Sequence, residues 1–213
     1  MGVLAVKSVR LFQCLALLAT SSTVSAQFAS HSGTTTTQEF ESRAAFDDLA
    51  QFGGCFATRQ PKDALRLLAT SPGSMDEARV YKELFSKDQY CLGDLSQLSV
   101  PWQYVRGAVG EGSFTRRVPL PQAYAAPHSL APEKVQSVMD AAICYVDRHA
   151  TEARALIEGT RPETKEETAA MDALWPNFEA CLPPNMPKGF KMDSLIVRYR
   201  IGEALWRLGL VHS

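Results

Sequence analysis

Two stretches decide how this chain is read: CFATRQPKDALRLLATSPGSMDEARVYKELFSKDQYCL, residues 55–92, and CYVDRHATEARALIEGTRPETKEETAAMDALWPNFEACL, residues 144–182. Set side by side, Cys55-Phe56 faces Cys144-Tyr145, Arg59 faces Arg148, and Asp63-Ala64 faces Glu152-Ala153. Leu67-Leu68 then faces Leu156-Ile157, Ser74 and Glu77 face Thr164 and Glu167, and Leu84-Phe85 faces Leu174-Trp175. Cys91-Leu92 closes one stretch as Cys181-Leu182 closes the other. The correspondence continues downstream, where Val105-Arg106 faces Val197-Arg198, Val109-Gly110-Glu111 faces Ile201-Gly202-Glu203, and Phe114 faces Trp206. The expected architecture is therefore all-α, a tandem duplication of a small four-helix unit with one disulfide in each copy. A period of about 90 residues lies outside the range of solenoid repeats, so each copy is expected to be a helical module.

Working outward, the residues 43–117 make unit 1, 132–213 unit 2, and 118–131, with Pro119, Pro121 and Pro127, a semi-rigid linker. Residues 27–42 are rich in Ser, Thr and Gly and predict a flexible arm. Residues 1–26 have the layout of a secretory signal peptide. Lys7 and Arg10 supply its charge, Leu11 to Ala19 a short apolar core, and Val24-Ser25-Ala26 a small-residue cleavage site. That core is shorter than a bilayer span, and no later apolar run reaches the required length. The reading is an exported protein with no transmembrane segment after cleavage, most simply periplasmic.

Of the five cysteines, Cys14 lies in the leader, and an even four remain. In an exported chain an even count reads as two disulfides, which four cysteines can make in three ways. The repeat selects Cys55 with Cys91 and Cys144 with Cys181. Each bridge would close a loop of about 36 residues, worth roughly 4 kcal/mol by chain entropy. No Cys-x-x-Cys or zinc-like spacing occurs, so neither a metal nor a cofactor is expected. With 22 basic and 23 acidic residues there is no basic footprint for nucleic acid.

Within each unit the same four helices are expected. The first spans about 43–58 and, in unit 2, about 132–148, with Pro132 in its first turn. A short second helix covers 61–69 and 151–158, stopped by Ser71-Pro72-Gly73 and by Gly159 to Pro162. The third opens on the capping boxes Ser74-x-x-Glu77 and Thr164-x-x-Glu167, in which the Glu should reach back to the cap N–H. It runs to Tyr90 and to Ala180, with Pro176 expected to kink or shorten the second of these. The fourth covers about 102–114 and 193–208. Gly110 and Gly202 sit inside it in both copies, at about 1 kcal/mol each relative to Ala. A cost kept twice argues that another backbone comes close there.

No phosphate loop, Gly-x-Ser-x-Gly, His-Glu-x-x-His or EF-hand pattern is present. His149 with Glu152 three residues on is too small a set for a metal and reads as a cap or surface contact. The candidate ligand-binding residues are Arg59, Arg148, Arg106, Arg198, Glu111 and Glu203, the long polar side chains shared by both units. Arg could grip an anion with its planar fork, yet Arg and Glu bury only when paired. The structural reading is thus an internal ion pair locking the fourth helix to the first. Arg106 and Glu111 are about 140° apart round one helix and cannot pair with each other. Trp102, found only in unit 1, is the aromatic whose exposure would mark a partner surface.

The run of Cys, Arg, a Glu-Ala-Arg-Ala-Leu helix, Cys-Leu and a closing Arg-x-x-Ile-Gly-Glu-Ala-Leu resembles an uncharacterised group of small exported bacterial proteins. The resemblance covers residues 144–208 well and 55–114 less well. It implies a bacterial periplasmic setting and nothing about mechanism. The function expected is a non-enzymatic binding or interaction protein whose partner could be another envelope protein. The alternative is a periplasmic enzyme or small-anion receptor with an Arg/Glu site between the two lobes.

Overall fold

The computed structural model describes residues 43–85, 91, 101–128, 130, 132–183 and 192–210. The leader and the arm lie outside these residues. Among them the chain forms eight α-helices and no strand. In order these are α1 (Arg43–Arg59), α2 (Pro61–Ala69), α3 (Met75–Phe85), α4 (Trp102–Thr115), α5 (Val138–Arg148), α6 (Ala150–Gly159), α7 (Lys165–Glu179) and α8 (Ser194–Arg207). Two disulfides, Cys55–Cys91 and Cys144–Cys181, join α1 and α5 to the residues that follow α3 and α7. The pairing expected from the sequence is the one observed.

The centre of the molecule is the packing of α4 on α8, with α1 laid against α4 and α5 against α8. Every residue of α4 from Val105 to Phe114 is buried, as is every residue of α8 from Val197 to Trp206. Such helices have no solvent face, which explains why Arg106, Glu111, Arg198 and Glu203 are interior. One continuous apolar cluster takes in Phe46, Leu49, Phe56 and Val109 together with Tyr145, Phe178, Ile201 and Trp206. Residues from both sides of the 118–131 stretch therefore share a single core.

Glycine allows this closeness. A Cβ on Gly110 would lie 2.8 Å from the Glu203 Cβ, and one on Gly202 would lie 2.9 Å from the Glu111 Cβ and 3.0 Å from its Cα. The repeated glycine sits, as its recurrence argued, where a second helix passes. The α1–α4 crossing is tighter still, since a Cβ on Gly53 would fall 2.0 Å from the Ala108 carbonyl oxygen.

One local expectation needs correction. The single helix expected over 132–148 is broken: Pro132–Lys134 is a 3-10 turn, and α5 restarts at Val138. Ser137 is the reason, because its extended backbone and its hydroxyl, accepting from the Asp140 N–H at 3.1 Å, make it an N-cap. Pro176 does not end α7, which continues to Glu179. It lies in the last turn, and its own carbonyl accepts from the Ala180 N–H. The 86–90 extension of α3 lies outside the described residues.

The connection between the halves is strapped down. The Trp206 indole N–H donates to the Val118 carbonyl at 2.9 Å, and the Ala126 N–H donates to the Arg207 carbonyl at 2.8 Å.

Candidate functional site

The site grows from the two capping boxes. Ser74 Oγ accepts from the Glu77 N–H at 3.1 Å, and Thr164 Oγ1 accepts from the Glu167 N–H at 3.2 Å. The glutamates reach one residue further back than expected. Glu77 Oε2 accepts from the Gly73 N–H at 2.7 Å, and Glu167 Oε2 from the Glu163 N–H at 2.6 Å. That reach leaves Oε1 of each directed inward. Glu77 Oε1 accepts from Arg106 Nη1 and Glu167 Oε1 from Arg198 Nη1, both at 3.3 Å.

Each of these arginines then grips a glutamate of the opposite central helix. Arg106 on α4 donates through Nε (3.1 Å) and Nη2 (2.7 Å) to the two oxygens of Glu203 on α8. Arg198 on α8 donates through Nε (3.0 Å) and Nη2 (2.8 Å) to the two oxygens of Glu111 on α4. These are the bidentate pairs for which a guanidinium is shaped. The remaining donors are satisfied in parallel ways. Arg106 Nη1 reaches the Leu67 carbonyl and Thr70 Oγ1, both at 2.9 Å, and Nη2 reaches the Leu68 carbonyl at 2.9 Å. Arg198 reaches the Leu156 and Ile157 carbonyls, each at 3.3 Å, and Thr160 Oγ1 at 2.8 Å. The ion pairs thus tie α4 to α8, whereas the sequence reading placed them between the fourth helix and the first.

Burial sets the electrostatics. It works against the charge on Arg106 and on Arg198, and their carboxylate partners more than offset it, so both stay firmly protonated. Burial raises Glu77 and Glu167 above the ordinary carboxylate range despite their arginines. Burial acts the same way on Glu203, but Arg106, Arg207 and Arg200 outweigh it and hold that carboxyl well below its usual value.

The halves differ at this last point. Glu203 also accepts from Arg200 Nη1 at 3.1 Å and from Arg207 Nε at 2.9 Å, while Arg207 donates to the Leu68 carbonyl as well. On α4 the positions matching Arg200 and Arg207 are Ala108 and Thr115.

Of the six candidates named from the sequence, Arg106, Arg198, Glu111 and Glu203 meet in this network, and Arg59 and Arg148 do not. The latter two lie exposed at the ends of α1 and α5. The sequence reading missed Glu77 and Glu167 as ion-pair partners, although their capping spacing was visible, and it missed Thr70, Thr160, Arg200 and Arg207. The charged step from Ala108 to Arg200 between aligned helices was the available signal for the last pair. His149 lies 3.8 Å from Glu152 and stacks on Tyr145, which agrees with a surface contact. Among the described residues no cluster of His, Cys, Asp and Glu could hold a metal ion, and no helix is long and apolar enough to cross a membrane. Two disulfides are consistent with an oxidising, exported location.

Outside the network, the large apolar side chain most exposed among the described residues is Met75, at 86%. It stands at the start of α3, on the rim of an open depression of about 620 Å³ lined also by Ala78, Arg79, Lys82 and Glu83. Trp102 is half-buried. Comparison with known protein families, with characterised proteins and with solved structures gives no match.

Proposed function

We propose that this chain is an exported, non-enzymatic interaction protein that meets its partner, another protein of the cell envelope, through the outer face of α3. The observation that carries the reading is the position of Met75, 86% exposed beside an open depression and ringed by charged groups. The neighbouring Asp76–Arg79 pair (2.8 Å) is itself exposed. An apolar knob within a charged rim is the arrangement of a protein contact with a small dry centre. The shared polar residues of the sequence support the same reading from the other side. Arg106, Arg198, Glu111 and Glu203 hold one another in the interior and act as cross-links of the scaffold.

The history behind the scaffold belongs to this proposal. A doubled four-helix unit accounts for two arginine sites built alike from Leu67, Leu68, Thr70 and Glu77 in one half and Leu156, Ile157, Thr160 and Glu167 in the other. It also accounts for the exchange of glutamates between α4 and α8. A unit that once paired with a second copy of itself, and was then joined to it, would hold its Arg–Glu pairs across the seam in this way.

Site-specific photo-cross-linking in cells tests the function. A photoreactive residue at position 75 or 79 should give a defined protein adduct, and one at the exposed position 158 should not. Met75→Lys should abolish the adduct formed from position 79 without changing the melting temperature. No adduct from either position, or equal labelling from 158, refutes the reading.

A further inference from the structure

The network around Glu203 is out of balance, and its counterpart is out of balance in the opposite sense. Three guanidiniums, Arg106, Arg200 and Arg207, surround Glu203, with Glu77 as the second carboxylate. Around Arg198 two carboxylates, Glu111 and Glu167, share one guanidinium. Arg106 uses Nε, Nη1 and Nη2 on protein acceptors. Arg200 does not. Its Nη1 meets Glu203 Oε2, and among the described residues its Nε and Nη2 have no acceptor. Its side chain is 6% exposed and that of Arg207 is 18% exposed, so the surplus lies at the margin of the network, within reach of solvent. Burial and the neighbouring Arg106 press Arg200 toward losing its proton, against the pull of Glu203. A guanidinium almost never does so, and an unbalanced buried charge costs several kcal/mol.

We infer that Arg200 and Arg207 form an oxyanion site, in which a phosphate or carboxylate group accepts from the unused Arg200 donors and restores neutrality around Glu203. Planar two-pronged donation suits either anion, and the adjacent Arg207 adds a second positive charge. The site is confined to the second half, since Ala108 and Thr115 occupy the matching positions on α4. It stands independently of any partner at α3.

Thermal unfolding and titration calorimetry of the whole oxidised protein test this, with inorganic phosphate or acetate set against chloride at constant ionic strength. The melting temperature of the natural protein should rise saturably with the oxyanion. A response to phosphate alone identifies a phosphate group as the ligand, and a response to acetate identifies a carboxylate. Arg200→Met should abolish the rise and, in chloride alone, melt no lower than the natural protein, because Glu203 keeps Arg106 and Arg207 and the network sheds its surplus positive charge. Arg200→Lys should keep the fold and weaken the anion at least tenfold. The inference is overturned by no oxyanion response beyond chloride, by an equal response in Arg200→Met, or by an Arg200→Met protein that is unfolded or melts several degrees lower in chloride. Any of these would make Arg200 a structural member of the network or leave the protein anion-free.

Discussion

Arg198→Met removes the one cation shared by Glu111 and Glu167, which are buried to within 8% and 4% of full occlusion. Methionine keeps most of the arginine side chain's volume, so the loss is of the charge and its hydrogen bonds. The general cost of orphaning a buried partner is about 3–5 kcal/mol. A second route gives a similar figure. An orphaned carboxylate can escape by taking a proton, and from an ordinary value of about 4.3 this costs about 4 kcal/mol at pH 7 and about 1 kcal/mol at pH 5. Two carboxylates are involved, and Glu167, which burial raises even with Arg198 in place, is the one whose titration carries the pH dependence. The sign follows from linkage: a carboxyl raised in the folded variant makes that variant relatively more stable as pH falls toward the unfolded value. Urea unfolding of the oxidised protein should therefore show a deficit of about 4 kcal/mol at pH 7 that shrinks to about 1–2 kcal/mol at pH 5. Adding Glu111→Leu should recover part of the deficit at pH 7, since Glu167 stays without its cation. A deficit below about 1 kcal/mol at pH 7, or one that does not change with pH, would refute the assignment of Arg198 as the cross-link of α4 to α8.

Two further substitutions probe other parts of the frame. Gly202→Ala gains about 1 kcal/mol of helix preference but drives a Cβ against the Glu111 backbone, and overpacking of that kind costs about 1–3 kcal/mol. The melting temperature should fall, and an unchanged or higher one would show that α4 and α8 have room to part. Arg117 closes α4 with a φ of 54°, at the position where Gly209 closes α8 with a φ of 67°. Arg117→Gly should raise stability by up to about 1 kcal/mol by relieving the left-handed backbone, measured by thermal unfolding.

The helices and both disulfides were legible because each depends on short-range pattern. Capping boxes and turn-forming Ser71-Pro72-Gly73 act within a few residues, and the aligned cysteines fixed the pairing. The arrangement of the halves was not legible. Apolar spacing says that Val105, Val109, Val197 and Ile201 are buried, but not that they are buried against one another. The same holds for the charges. Arg106 and Glu111 could be excluded as partners by helix geometry, yet choosing Glu203 required knowing which helix passes Gly110. Ser137 shows the converse, a local hydroxyl that outweighed the helical spacing on either side of it. Arg200 is marked in the sequence only by a difference, standing where the aligned position is Ala108, whereas the repeat is defined by agreements.

The Arg106–Glu203 contact spans 97 positions of the chain, whereas the Cys55–Cys91 bridge spans 36. Synthesis proceeds from the amino end, so α1 to α4 and both halves of the first bridge exist before α8 has been made. During that interval Arg106 has Glu77 within its own half but lacks its two-pronged acceptor, and Gly110 faces no helix. Both cysteines of the first bridge thus precede the last helix in the chain, and the Arg106–Glu203 contact waits for that helix.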